Sequence, residues 1–135
     1  MPYLAGHLPA SPVKVFFDGG ARPNPGRIEV AVVARGTVHF FDDLGEGCSS
    51  DAEWLALQCA LQVAQALGVP AFDLLGDSRN IIAQASGAAA CRTPAARAHL
   101  ARFTAAAASV PPRRLRWLPR HQNLAGIALD RRNNS

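Results

Sequence analysis

Lysine is almost missing from this chain of 135 residues: Lys14 stands alone, and arginine carries the remaining positive charge. Cysteine is sparse, with Cys48, Cys59 and Cys91 odd in number and no C-x-x-C pair among them. That pattern excludes a disulfide framework and a zinc finger, so no disulfide-linked partner is expected. No stretch approaches the run of about 18 apolar residues that a membrane helix needs, so no membrane partner is expected either. Met1 to His7 lack the basic start and apolar stretch of a secretory signal, which makes the cytoplasm the expected location. No internal repeat is present, and nothing in the chain sets its oligomeric state. Acidic residues thin out abruptly as well. From Arg79 onward there are ten arginines and one acid, Asp130, so the formal net charge of +4 gathers in the C-terminal half. A cationic half-surface suits a polyanion, of which nucleic acid is the commonest. An arginine- and alanine-rich composition is also what a GC-rich genome produces, and charge alone leaves the partner open.

The length and the hydrophobic content of 49% suit one globular domain with a core of its own. Residues 1–11, with Pro2 and Pro9, read as an irregular segment, and residues 12–135 as the domain. Val13, Val15 and Phe17 alternate as in a strand that ends at Asp18, ahead of the glycine- and proline-rich stretch from Gly19 to Gly26. Residues 29–34 and 37–41 form a hairpin around Arg35-Gly36. Trp54, Leu57, Leu61, Ala64 and Leu67 recur at helical spacing up to Gly68. Residues 71–76 read as a fourth strand, and Ser78 opens a short helix that ends near Gly87. Thr93-Pro94 starts an alanine-rich helix stopped by Pro111-Pro112. A fifth strand follows around Leu115-Arg116-Trp117-Leu118, then a loop over residues 119–123 and a last helical turn around Ile127 and Leu129. The expected fold class is therefore α/β. Three antiparallel strands come first, then two parallel ones, in a mixed five-stranded sheet flanked by helices.

Three acids stand where such a fold exposes function. Asp18 closes a strand beside glycines, Glu53 opens a helix, and Asp77 follows another apolar strand. Each has a plainer use. Asp18 suits a turn cap and Asp77 a helix N-terminus, while Ser50 and Glu53 are spaced as a capping box. Asp42, Asp43, Glu46, Asp51 and Asp73 are read as solvated charges, with Asp51 also placed to help the helix start.

The motifs Asp18-Gly19-Gly20 with Asn24-Pro25-Gly26, Ala52-Glu53-Trp54 with Ala56-Leu57, Asp77-Ser78, and Trp117-Leu118-Pro119-Arg120 with Asn123 occur in one order. Together they resemble the type 1 ribonuclease H family, in its compact branch without a basic protrusion. The resemblance runs from about Val13 to Leu129 and implies a ribonuclease H-like fold. It also implies an endonuclease that cuts the RNA strand of an RNA/DNA hybrid with two divalent ions, Mg2+ or Mn2+. Asp18 would then bridge both ions, with Glu53 on the ion nearer the leaving group and Asp77 on the one that activates water. Gly19, Gly20, Asn24, Ser49, Ser50, Arg120 and Asn123 fall at positions implied to meet substrate, and His121 is a possible auxiliary group. Hybrid would be read by its wide minor groove and 2′-hydroxyls, with Arg113, Arg114, Arg116 and Arg120 holding phosphates.

The chain departs from that pattern at several positions. The family's fourth aspartate falls on Ile127, with Asp130 a displaced candidate for its role. Ser49 and Ser50 replace a pair of asparagines, and Glu29 and Ala31 replace glycines. Two readings stand at this point: an enzyme with a weakened site, or a degenerate module that binds nucleic acid without cutting it.

Overall fold

The computed structural model describes residues 11–134. The segment read as irregular lies outside the described residues except for Ser11, which joins no helix or strand. The chain forms one mixed sheet from β1 (Val13–Arg22), β2 (Gly26–Ala34), β3 (Thr37–Phe41), β5 (Phe72–Gly76) and β6 (Arg114–Trp117), in the order β3-β2-β1-β5-β6. The first three pair antiparallel, and β5 and β6 add in parallel to β1. This is the mixed α/β sheet expected, with one strand more. Glu46–Gly47 forms β4, which pairs with β2, and two residues are too few to show any periodicity in sequence. Arg35 and Gly36 turn the β2–β3 hairpin with φ of 53° and 77°, the left-handed backbone that a two-residue hairpin requires.

Among the described residues four helices flank the sheet: α1 (Ser49–Leu67), α2 (Arg79–Ser86), α3 (Pro94–Ala107) and α4 (Leu124–Asn133). Strand alternation sends side chains to two cores. Ile28, Val30, Val32 and Ala34 of β2 join Val15 and Phe17 beneath α1, while Ala31 and Val33 meet Ala125 and Leu129 of α4 on the other face. Ser78 caps α2 through the Ile81 amide, and Thr93 caps α3 through Ala96, with Pro94 at the first helical position. Among the described residues no helix is long and apolar enough to cross a membrane. Cys48, Cys59 and Cys91 are free thiols.

Three expectations need correction here. The strand does not end at Asp18 but runs on to Arg22, with Gly19 and Gly20 paired to Val30 and Glu29, and only Pro23, Asn24 and Pro25 form the turn. Gly19 serves close packing rather than a turn, because a Cβ there would collide with the Ala52 carbonyl of α1. Asp73 is not a solvated charge. It is 1% exposed and accepts from Arg113 Nε at 3.0 Å and Nη2 at 2.8 Å, with Arg116 Nη1 at 3.8 Å. Arg113, expected on phosphate, is thus committed to tying β6 to β5. Glu29, in place of a glycine, accepts from Arg132 Nη2 at 3.0 Å and Asn133 Nδ2 at 3.1 Å, which ties the end of α4 to the sheet.

The Arg113 hydrogen bonds hold the Asp73 carboxyl below its ordinary value against the opposing effect of burial. A depressed folded value adds stability above the unfolded value of about 3.9, and that stability is lost as pH falls through the folded one. Asp73→Asn is therefore expected to lower unfolding free energy by about 1–2 kcal/mol at pH 7. Urea titrations should show the gap to wild type closing below about pH 4.

Candidate active site

β1 and β5 stay hydrogen-bonded only as far as Phe16 and Leu75, and beyond that point they diverge. The gap that opens there receives Asp18 from the middle of β1 and Asp77 from the residue after β5. Glu53 enters from the second turn of α1. One carboxylate oxygen from each of Asp18, Glu53 and Asp77 lies within 4.8 Å of the others. Glu53 is free to join them because α1 starts differently from the capping box expected at Ser50. The cap is Cys48, whose backbone N–H and Sγ donate to Asp51 Oδ2 at 3.2 and 3.3 Å. Asp51 also contacts His99 Nε2 at 3.0 Å, which anchors α3 to α1. Glu53 Oε1 instead accepts the Gly19 N–H at 3.1 Å, the donor that β1 no longer spends on β5.

Crowding shows in the electrostatics. Burial first, and then the nearby Asp18 and Asp77 charges, push the Glu53 carboxyl up to about 8. Burial also drives Asp18 up to about 6, although the Arg120 hydrogen bond pulls the other way. Close, partly buried carboxylates repel one another and raise the cost of ionisation until positive charge is supplied. Hard carboxylate oxygens at this separation fit a hard divalent cation such as Mg2+ or Mn2+. The donor set thus fits the metal that the motif implies.

Arg120 reaches this cluster from a short 3₁₀ turn, Arg120–Gln122. Its Nη1 donates to Asp18 Oδ1 at 2.9 Å and to Asp77 Oδ2 at 3.1 Å, and its Nη2 donates to Asp130 Oδ1 at 3.2 Å. Asp130 accordingly points toward the site from α4, one turn beyond Ile127, and its side chain remains 59% exposed. Asn123 is fully buried and caps α4. Its Nδ2 donates to Phe17 O at 2.9 Å and to Asp77 Oδ2 at 2.8 Å, so its amide holds Asp77 in place. His121 is exposed. Trp117 packs on the strand face, donates from Nε1 to the Asp77 carbonyl at 3.1 Å, and carries the Arg79 guanidinium 3.6 Å above its ring.

Beside the acids opens a cleft of about 270 Å³, lined by Gly19, Ser49, Ser50, Glu53, Ser78, Asn80 and Ile81. Asn24 borders it, exchanging bonds with Ser49: its Oδ1 accepts the Ser49 N–H at 3.0 Å and its Nδ2 donates to Ser49 Oγ at 3.3 Å. Gly20 leaves open space where a Cβ would stand. Asn80 was not foreseen from the sequence. Its only signal is its place in the first turn of a helix capped by Ser78, next to Asp77.

The family described as reverse transcriptase-like matches residues 17–131. The chain belongs to this family, in its ribonuclease H1-like form. Ribonuclease H1 from the halophilic archaeon Halobacterium salinarum superposes with a TM-score of 0.75 at 27% identity, over 93% of this chain and 100% of that one. The N-terminal ribonuclease H domain of rv2228c from Mycobacterium tuberculosis gives 0.76 at 26% identity, over 88% and 95%. LC11 ribonuclease H1, isolated from compost by a metagenomic approach and solved in complex with an RNA/DNA hybrid, gives 0.73 at 27% identity, over 83% and 88%. No curated protein matches the chain.

The raised Glu53 value carries a signed consequence. Without metal, a carboxyl raised above its unfolded value costs stability as pH climbs from about 4.5 toward 8. In chelator, Glu53→Gln should therefore melt higher than wild type by on the order of 5 °C at pH 8, with the difference vanishing near pH 4, as calorimetry will register.

Proposed function

We propose that this protein is a cytoplasmic endoribonuclease that hydrolyses the RNA strand of RNA/DNA hybrids, using two Mg2+ or Mn2+ ions held with the scissile phosphate. The convergence of Asp18, Glu53 and Asp77 at the edge of an open polar cleft carries this reading. A relative of the same fold crystallised with an RNA/DNA hybrid supports the substrate class. Bound divalent cations acidify water and neutralise charge on the leaving oxygen in phosphodiester hydrolysis. Asp18, Glu53 and Asp77 would hold the ions, with Asp18 shared between them, Glu53 serving the leaving-group side and Asp77 the water side, as the family resemblance implies. Asn123 keeps Asp77 turned inward, and the Gly19 N–H does the same for Glu53. Ser49, Ser50, Asn24 and Asn80 offer short polar groups to 2′-hydroxyls and phosphates in the minor groove, where RNA character is legible without base sequence. Arg120 brings positive charge to the same edge, and His121, close by in the chain, is a candidate for proton movement.

A second reading rests on two observations: Arg120 already neutralises Asp18 and Asp77, and Ile127 stands where a fourth carboxylate would help hold metal. Such a site suits a module that binds hybrid without cutting it. End-labelled RNA/DNA hybrid incubated with wild type and with Asp18→Asn separates the two. Cleavage by wild type, reduced at least about 100-fold in the variant, supports the enzyme. Equal binding by both with no product supports the module. Mn2+ is expected to give faster cleavage than Mg2+, because a site short of one carboxylate favours the ion that N/O donors bind more tightly. Equal initial rates in the two metals would argue against a cost of losing the carboxylate at Ile127.

A further inference from the structure

The guanidinium of Arg120 bridges two of the three clustered carboxylates while its side chain stays half exposed. A single nitrogen, Nη1, joins Asp18 Oδ1 and Asp77 Oδ2. Those are the two acids that would share the water-side cation. Glu53 forms no hydrogen bond or ion pair with the guanidinium and accepts the Gly19 N–H instead. The chain also shapes itself around this placement. Gly126, buried in the first turn of α4, has no Cβ, and a Cβ there would stand 3.2 Å from Arg120 Nη1 and 3.5 Å from Asp18 Oδ2. Asp130 holds the other nitrogen from outside.

We propose that Arg120 is a resident cation of the acidic site, so that the protein without nucleic acid takes up one divalent ion, on the Asp18–Glu53 side, instead of two. The proposal rests on the metal-dependent reading of the site and concerns its state before substrate arrives. Charge balance sets the count. With all three carboxylates ionised, as metal binding requires, one guanidinium leaves two negative charges, the complement of a single divalent ion. Asp130 adds little to that balance, since its mostly exposed carboxylate is screened by water. A second ion on the Asp18–Asp77 edge must displace a guanidinium held by charge-assisted hydrogen bonds. The hybrid's scissile phosphate supplies what that exchange lacks, an anionic oxygen for the ion and a new partner for the freed arginine. Arg120 is in this sense a positioning residue whose place between the acids decides how many ions enter.

The test counts metal rather than product. Full-length protein without nucleic acid is titrated with Mn2+ alone, and bound ion is counted by calorimetry and by the electron paramagnetic resonance signal of the free ion. One ion per chain is expected for wild type and two for Arg120→Ala. Arg120→Gln, which keeps length and polarity but not charge, should also bind two, and circular dichroism confirms that each variant is folded. Two ions on wild type overturn the proposal, as does none. A count of one that does not rise in a folded variant overturns it too. Because no hybrid is present, a protein that fails to cleave hybrid yet shows the change from one to two loses the proposed function but keeps this inference.

Discussion

Three carboxyl groups within one small volume repel one another, and the architecture around them is organised to supply compensation. Arg120 provides it from the loop after β6, Asn123 from the cap of α4, and the Gly19 amide from the strand itself. These groups come from chain segments more than a hundred residues apart in the longest case, from Asp18 to Arg120. The cluster therefore exists only once the sheet has closed around β1 and β5. Burial weighs on Asp18 and Glu53 in the same direction as repulsion, while Arg120 opposes both. Such a site has a standing demand for positive charge, which a divalent ion would meet.

Much of this was legible in the sequence because the informative residues are those with few alternatives. Alternating valines, the Arg35-Gly36 turn, the Ser78 and Thr93 caps and the Gly68 stop all state local physics that tertiary structure did not override. The three acids were legible as a set because their motifs fall in one order along the chain. What escaped was long-range pairing. Asp73 looked like a surface charge until β6 brought Arg113 beside it, forty positions away. Arg120 looked like a phosphate ligand, since its nearest acids in sequence say nothing of Asp18. β4 is too short to carry a pattern.

The cap of α1 shows how a small misreading changes a role. Ser50 and Glu53 have the right spacing for a capping box, yet Cys48 and Asp51 take that part. The shift of two positions turns Asp51 toward His99 and Glu53 toward β1. Capping and the acidic cluster are then served by different carboxylates on the same helix, each with its own partner. Glu29 follows the same logic on the opposite face. A residue that breaks the family's glycine pattern is accounted for by its bonds to Arg132 and Asn133.

Gly19 touching the Ala52 carbonyl makes backbone, not side chains, the spacer between strand and helix. Glu53 is the very next residue after Ala52, and Asp18 the one before Gly19, so the distance between these two acids is gauged by main-chain contact. Such a gauge has almost no compliance. Core residues farther along α1 can drift in size over evolution without respacing the two carboxylates, whereas any side chain at position 19 would wedge them apart.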